Sequence, residues 1–290
     1  MRHTITMCLA AIFLTALPAP SRAQLIAAKD GPIVYGHNHV YVASIPEAKK
    51  FWVDALGGAV VSLGSREMIR YENMMIFFTE DKPGAPARAG TKGSTVDHLG
   101  FQVPDLRAAV TKLEAAGFPN VTRQELPMYS SSVKDGIAFD AGEKAPVAVF
   151  MTPDNVKVEL HENKAMKAAI GLSHMHFYGP DPVAMRDWYV KVFGAKAGKV
   201  GDVETATLPG VQLNFSKAAD AVVGTQGRVL DHIGMEARDL EAFGKQLPEM
   251  GLPAINKVNR VASADNLGVA FVTDPWGTRI EMTEGLVKVK

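Results

Sequence analysis

One short pattern occurs four times along the chain, and it constrains the fold more than any other feature. An apolar strand carrying histidine leads through a Pro- or Asp-type turn into a helix that ends at glycine. The pattern appears around His37 and His39, at Asp97-His98-Leu99-Gly100, around His174 and His176, and at Asp231-His232-Ile233-Gly234. Units one and three share an aromatic pair inside the helix, Phe51-Trp52 and Trp188-Tyr189. Units two and four share the Asp-His-x-Gly strand and a Gly-x-Pro after the helix, Gly117 to Pro119 and Gly251 to Pro253. The order is therefore A-B-A′-B′, and an internal repeat of this kind outranks any local pattern.

Each unit reads β-α-β-β-β, so the expected class is α+β with four βαβββ modules. In the first, 36–43 alternates with the period of a half-buried strand. Pro46 opens a helix that Gly57 closes, and strands follow near 59–63, 67–71 and 74–79. The second runs through strand 96–103, helix 105–116 and strands near 136–140, 147–151 and 156–161. The third and fourth repeat this over 173–216 and 230–283. Two domains of two modules each are expected, 34–162 and 173–285. The segment 163–172 joins them and has the composition to form a helix. Residues 125–134, with Tyr129 and three serines, are an insertion that the fourth module lacks; such an insertion belongs on a surface, where it can cover a pocket.

Residues 1–23 stand apart. Arg2 and His3 precede an apolar run, 7–17, that is too short to span a bilayer, and Ser21-Arg22-Ala23 is a small-x-small cleavage site before Gln24. The segment reads as a secretory signal peptide cut after Ala23, which implies a periplasmic or secreted protein with no membrane association after cleavage. Cys8, the chain's single cysteine, would leave with it, and the mature chain could form neither disulfide nor catalytic thiolate. Lys plus Arg and Asp plus Glu number 31 each, without a long run of either sign, which argues against nucleic acid or anionic lipid as partner. A small-molecule substrate and a monomer or homodimer are expected. The Gly-rich stretch 90–93 is not a phosphate loop, since no strand-to-helix junction with Lys follows it.

The last strands of units two and four, Val156-Lys157-Val158-Glu159-Leu160 and Thr278-Arg279-Ile280-Glu281-Met282, each set a glutamate among apolar neighbours. That is a costly place for a carboxylate unless it is paired or bound to a cation. With these glutamates and the first-strand histidines, the chain resembles the vicinal oxygen chelate superfamily over about 34–285. That superfamily includes glyoxalase I, extradiol dioxygenases and fosfomycin- or bleomycin-resistance proteins. The resemblance implies paired modules curled into two open mixed-sheet barrels around a divalent metal. It also implies a first-strand histidine from each module of a pair and one last-strand glutamate as ligands. Pairing within halves would give His37, His98 and Glu159, then His174, His232 and Glu281. Crossed pairing would give His37 with His232 and Glu281, and His174 with His98 and Glu159. Both complete two sets, and the sequence does not choose.

Two imidazoles and a carboxylate with open positions suit non-haem Fe2+ or Mn2+, with Zn2+ or Ni2+ as alternatives. Glyoxalase I adds a fourth ligand, a glutamate on the last strand of the first module. The matching positions here are Phe77 and Asn214, so the pattern leans toward a dioxygenase acting on a small substrate with neighbouring oxygens. The extradiol tyrosine before the Asp-Pro turn is replaced by Phe271 and, in the first half, Val149. A glyoxalase-like lyase or isomerase and a non-catalytic sequestering protein are the alternatives. His39 and His176, each two residues past a presumed ligand and on the same strand face, are the expected acid/base groups. His161 is expected at the rim, and the aromatic pairs in the core.

Overall fold

A computed structural model describes residues 30–142 and 144–289. The signal-peptide reading, with His3 and Cys8, falls outside these residues. Module one supplies β1 (Ile33–Val42), β2 (Ala59–Leu63), β3 (Arg66–Arg70) and β4 (Met75–Glu80), and module two β5 (Val96–Val103), β6 (Ala138–Asp140), β7 (Ala145–Met151) and β8 (Lys157–Glu162). Module three supplies β9 (Gly171–Gly179), β10 (Lys196–Val200), β11 (Val203–Leu208) and β12 (Val211–Lys217), and module four β13 (Leu230–Ala237), β14 (Asn259–Val261), β15 (Leu267–Thr273) and β16 (Arg279–Glu284). The strands form two eight-stranded mixed sheets, each curled into an open half-barrel.

The modules pair crosswise. One sheet has the order β14-β15-β16-β13-β1-β4-β3-β2, joining modules four and one; the other runs β10-β11-β12-β9-β5-β8-β7-β6, joining three and two. We call these half-barrels one and two. At the seams, β1 lies antiparallel to β13 with His39 opposite His232, and β9 lies antiparallel to β5 with His176 opposite His98. The segments 34–162 and 173–285, expected as domains, are thus halves of the sequence, each giving one module to each sheet. Link lengths account for the choice. The link 163–170 needs to cross only one strand, β5, to bring the chain from β8 to β9. The longer links, 81–95 and 218–229, change sheets. No helix forms in 163–170: the Asn163 side chain accepts from Ala165 N and its carbonyl from Met166 N, which makes a turn instead.

The helices begin and end where the sequence places its caps. In α2 (Leu106–Ala115), α4 (Pro182–Phe193) and α5 (Leu240–Gln246), an Asp side chain accepts from the backbone three residues on, at 2.9, 3.0 and 2.8 Å, satisfying an otherwise orphaned N–H. Gly194 ends α4 in the left-handed conformation, φ 68°. The helix after β1 is irregular: α1 (Ile45–Lys49) continues as a π-helical turn, Lys50–Ala55. A short α3 (Thr122–Glu125) leads into the insertion, which folds around a 3₁₀ turn, Pro127–Ser132.

Helices and sheet backs share one continuous apolar core that includes Phe51, Trp52, Phe101, Tyr189 and Phe215, all fully buried. Polar contacts cross between the half-barrels within it: Tyr189 Oη donates to Asp274 Oδ2 at 3.0 Å, and Thr278 Oγ1 lies 2.8 Å from Thr95 Oγ1. A second, smaller cluster (Leu63, Met68, Met75, Leu267, Val269, Leu286 and Val289 among them) fills the inside of half-barrel one. Among the described residues, no helix is long and apolar enough to cross a membrane.

Candidate metal centres

Crossed pairing decides which predicted ligands meet. His37, His232 and Glu281 come together in half-barrel one, and His98, His174 and Glu159 in half-barrel two. The within-half sets, His37 with His98 and Glu159 and His174 with His232 and Glu281, are not formed, because β1 and β9 lie against β13 and β5 rather than against each other's partners.

In both centres the two histidines are held by different means. His98 and His232 sit next to Asp97 and Asp231, whose carboxylates lie 2.9 and 2.6 Å from their Nδ1 atoms. An Nδ1–H donated there leaves the Nε2 lone pair facing the centre. His174 and His37 have no such partner: their buried Nδ1 atoms are hydrogen-bonded to no described group. They are seated instead by Gly100 and Gly234, opposite them across the seam, where a Cβ would overlap the imidazole rings. Both glycines therefore serve close approach of a ring to backbone.

Half-barrel two has the more open geometry. His98 Nε2 and His174 Nε2 are 3.4 Å apart, and Glu159 Oε1 lies 3.6 and 3.4 Å from them. A point equidistant from these three atoms is about 2.0 Å from each, the length of a bond from imidazole or carboxylate to a first-row metal. The residues present therefore fit a divalent ion. In half-barrel one the donors converge on a single oxygen, with His37 Nε2 and His232 Nε2 at 2.8 and 2.9 Å from Glu281 Oε2. That set has the same chemistry in a closed, hydrogen-bonded form.

Burial and the neighbouring charges oppose each other in the titration of these groups. It pulls His98 down, but the Glu159 and Asp97 carboxylates outweigh it and raise the imidazole to about 9. Burial raises Glu159, yet the charge on His98 and hydrogen bonds from His161 and His174 hold it well below the usual carboxylate range. Glu281 is depressed in the same way, burial being outweighed by His232 and His37. Asp231 is held at about 2, chiefly because His232 overcomes burial. Burial lowers His174 and His37.

The expected acid/base groups lie beside the centres. His176 Nε2 is 2.9 Å from Ser216 Oγ, and its ring packs on Tyr178 at 4.9 Å. His39 Nε2 is 2.7 Å from Thr79 Oγ1. Burial, reinforced by neighbouring histidines, lowers His176 well below the ordinary range and His39 to about 3, so both are neutral at physiological pH. A cleft of about 480 Å³ opens on half-barrel two, reaching His98, Glu159, His174 and His176, with Asn214 and Tyr129 in its wall. The insertion forms one side of that cleft, through Leu126, Met128 and Tyr129.

Three features were missed in the sequence. His161 is not at the rim but 1% exposed, with Nε2 2.6 Å from Glu159 Oε1. Lys157 forms an ion pair with Asp97 and reaches Glu125 at 3.2 Å, and Lys92 reaches Glu125 at 2.9 Å, a chain of charge from the partner of His98 to the insertion. Arg279 takes the matching place beside Asp231, at 2.7 Å. Strand alternation was the available signal for His161, which shares a strand face with Glu159.

The comparisons agree with this layout. The model of the Glyoxalase/Bleomycin resistance protein/Dioxygenase superfamily matches residues 34–160 and again 171–282. Among solved structures, glyoxalase I from Zea mays superposes with a TM-score of 0.66 at 13% identity, covering 87% of this chain and 92% of that one. A point mutant of the same maize enzyme gives 0.67 at 12% identity, with 87% and 94% covered. A candidate dioxygenase from Bacillus subtilis gives 0.61 at 14% identity, with 87% and 84% covered. At these identities the likeness speaks for the fold. No curated protein sequence matches the chain significantly.

Proposed function

The chain belongs to the Glyoxalase/Bleomycin resistance protein/Dioxygenase superfamily, and from that premise we propose that half-barrel two is the centre of a divalent-metal-dependent enzyme that grips a small substrate by two neighbouring oxygens. The observation that carries this reading is the near-equilateral triangle of His98 Nε2, His174 Nε2 and Glu159 Oε1 at the floor of an open cleft. A bound ion there supplies Lewis-acid polarisation of substrate oxygens and acidifies the neighbouring proton.

The chain's own groups supply the rest. Asp97 fixes the orientation of His98, and Gly100 seats His174. Neutral His176 faces the cleft as the group that takes or returns a proton, with the Ser216 hydroxyl holding its ring. Tyr178, which burial raises to about 12, stays protonated as a hydrogen-bond donor. The insertion narrows access by water from one side. The chemistry of the donors accommodates Fe2+ or Mn2+ when three residues bind, and Zn2+ or Ni2+ when the protein shell is fuller.

Two reactions use such a site. The three-donor pattern supports ring cleavage by O2, since a metal held by His98, His174 and Glu159 would have room for both substrate and O2. The proximity of His161 to Glu159 favours instead a glyoxalase-like lyase or isomerase. Oxygen uptake with catechols by the iron-loaded protein supports the former. Conversion of hydroxy-carbonyl adducts without oxygen supports the latter, and tight binding without turnover in either assay would identify a sequestering protein. We also propose that the protein is exported; a mature N-terminus at Gln24 is expected from N-terminal sequencing of the extracytoplasmic fraction.

A further inference from the structure

We infer that His161 is a fourth protein donor in half-barrel two, so that this centre binds its divalent ion through three imidazoles and one carboxylate. The inference rests on half-barrel two being a metal centre, and adds a ligand that neither the repeat pattern nor the family resemblance supplies.

Three observations carry it. His161 lies on β8 two residues beyond Glu159 and faces the same way, its Nε2 2.6 Å from the Glu159 Oε1 that also faces His98 and His174. Its ring packs against His174 at 5.6 Å, and donor atoms of Glu159, His161 and His174 all fall within 4.8 Å of one another. Three buried imidazoles with one carboxylate are costly to desolvate, and a divalent cation is the partner that satisfies all their lone pairs at once.

Second, the position that would otherwise give a fourth donor is engaged. Asn214 on β12 uses its side-chain oxygen to accept from Gln212 Nε2 at 2.8 Å.

Third, half-barrel one provides the internal contrast. At the matching place stands Thr283, whose hydroxyl donates to Glu236 Oε2 at 2.7 Å. The second histidine thus belongs to one centre, not to the repeat as such.

The chemical consequence concerns the substrate. With four protein donors, a six-coordinate ion keeps two positions, enough for the paired oxygens of one chelating ligand and none for O2 beside it. A divalent ion with a single carboxylate keeps net positive charge, which selects an anionic chelate such as a deprotonated hydroxy-carbonyl compound. The reaction class is then proton transfer, elimination or isomerisation within that one ligand.

The test uses the full mature chain carrying His232→Ala, which removes a donor from half-barrel one, loaded with cobalt(II) alone. X-ray absorption counts the imidazoles, titration gives Kd, and near-UV circular dichroism checks the fold. We expect three imidazoles, falling to two in both His161→Ala and His161→Gln, with Kd weakened at least about 10-fold in each. Two imidazoles in the parent, or full recovery of binding by Gln, whose amide can still donate to Glu159, would overturn the inference and leave His161 as a clamp on the carboxylate. Absence of cobalt from the parent, or cobalt retained when His98→Ala is added, would overturn the metal centre itself, a different and distinguishable result.

Discussion

Half-barrels one and two place His, His and Glu at matching strand positions, but the walls around them differ residue by residue. Where half-barrel one has Val61, Met68, Met75, Phe77 and Phe271, half-barrel two has Gly198, Thr205, Gln212, Asn214 and Val149 at the equivalent places in the strand registers. Phe77 lies edge-on to His37 at 4.9 Å, and the C-terminal Leu286 and Val289 complete the apolar filling. Half-barrel two instead opens into a cleft whose wall includes Asn214, Ser216 and Tyr178. The repeat has kept the two His/Glu sets and let the surroundings diverge. What separates the open centre from the filled one here is the lining, since the His and Glu positions are common to both.

That comparison can be broken most directly by removing one histidine from each side. His98→Ala is expected to lower activity by about 10³-fold or more if the ion does the polarising, while His232→Ala changes it less than about threefold; steady-state kinetics on a turned-over substrate decide. The opposite ranking would move the active centre to half-barrel one. Next in size is the filling itself. Leu286→Ala, in half-barrel one, should destabilise by about 2–5 kcal/mol, whereas Thr205→Ala in half-barrel two should cost about 1 kcal/mol. Urea unfolding measures both, and equal losses would show that the two interiors are packed alike.

A smaller effect concerns the carboxylates behind the ligand histidines. Asp97→Asn should weaken cobalt binding by about 10–100-fold through loss of the Nδ1 contact and of the Lys157 ion pair. It should also loosen the insertion, seen as faster amide exchange at 125–132. Asp231→Asn has no insertion to release, so its effect should stop at half-barrel one. The mildest contrast is a cap: Asp239→Ala should cost about 1 kcal/mol in the thermal melt and leave metal binding at half-barrel two untouched.

Much of this architecture was legible in the chain because local rules govern it. Strand 96–103 was read at its observed bounds, since every second side chain enters one face, and the Asp and Gly caps marked the helices. The π-helical turn at 50–55 left no trace, because Phe51 and Trp52 keep an apolar stripe in either helical form. Pairing was not legible from the ligands, which complete two sets either way. The clue was the contrast between the short link 163–170 and the two longer ones. The candidate donors stood out because a repeat displays them twice, and His161 escaped for the converse reason, having Thr283 as its counterpart. Asn214 marks a departure from a family pattern, and in the fold it stands in the wall of the cleft.

Crossed pairing also sets an order of events during synthesis. Half-barrel two is built from one uninterrupted stretch, 96–217, and can close while the ribosome is still at work. Half-barrel one needs β13–β16, so the contact between His37 and Glu281, 244 residues apart in the chain, must come last. Until then β1 waits with an open edge beside β4, the kind of unpaired strand that invites a second copy to bind. The proposed working half would thus be finished first, and the closing half would be the point at which a nascent chain is most exposed to misassembly.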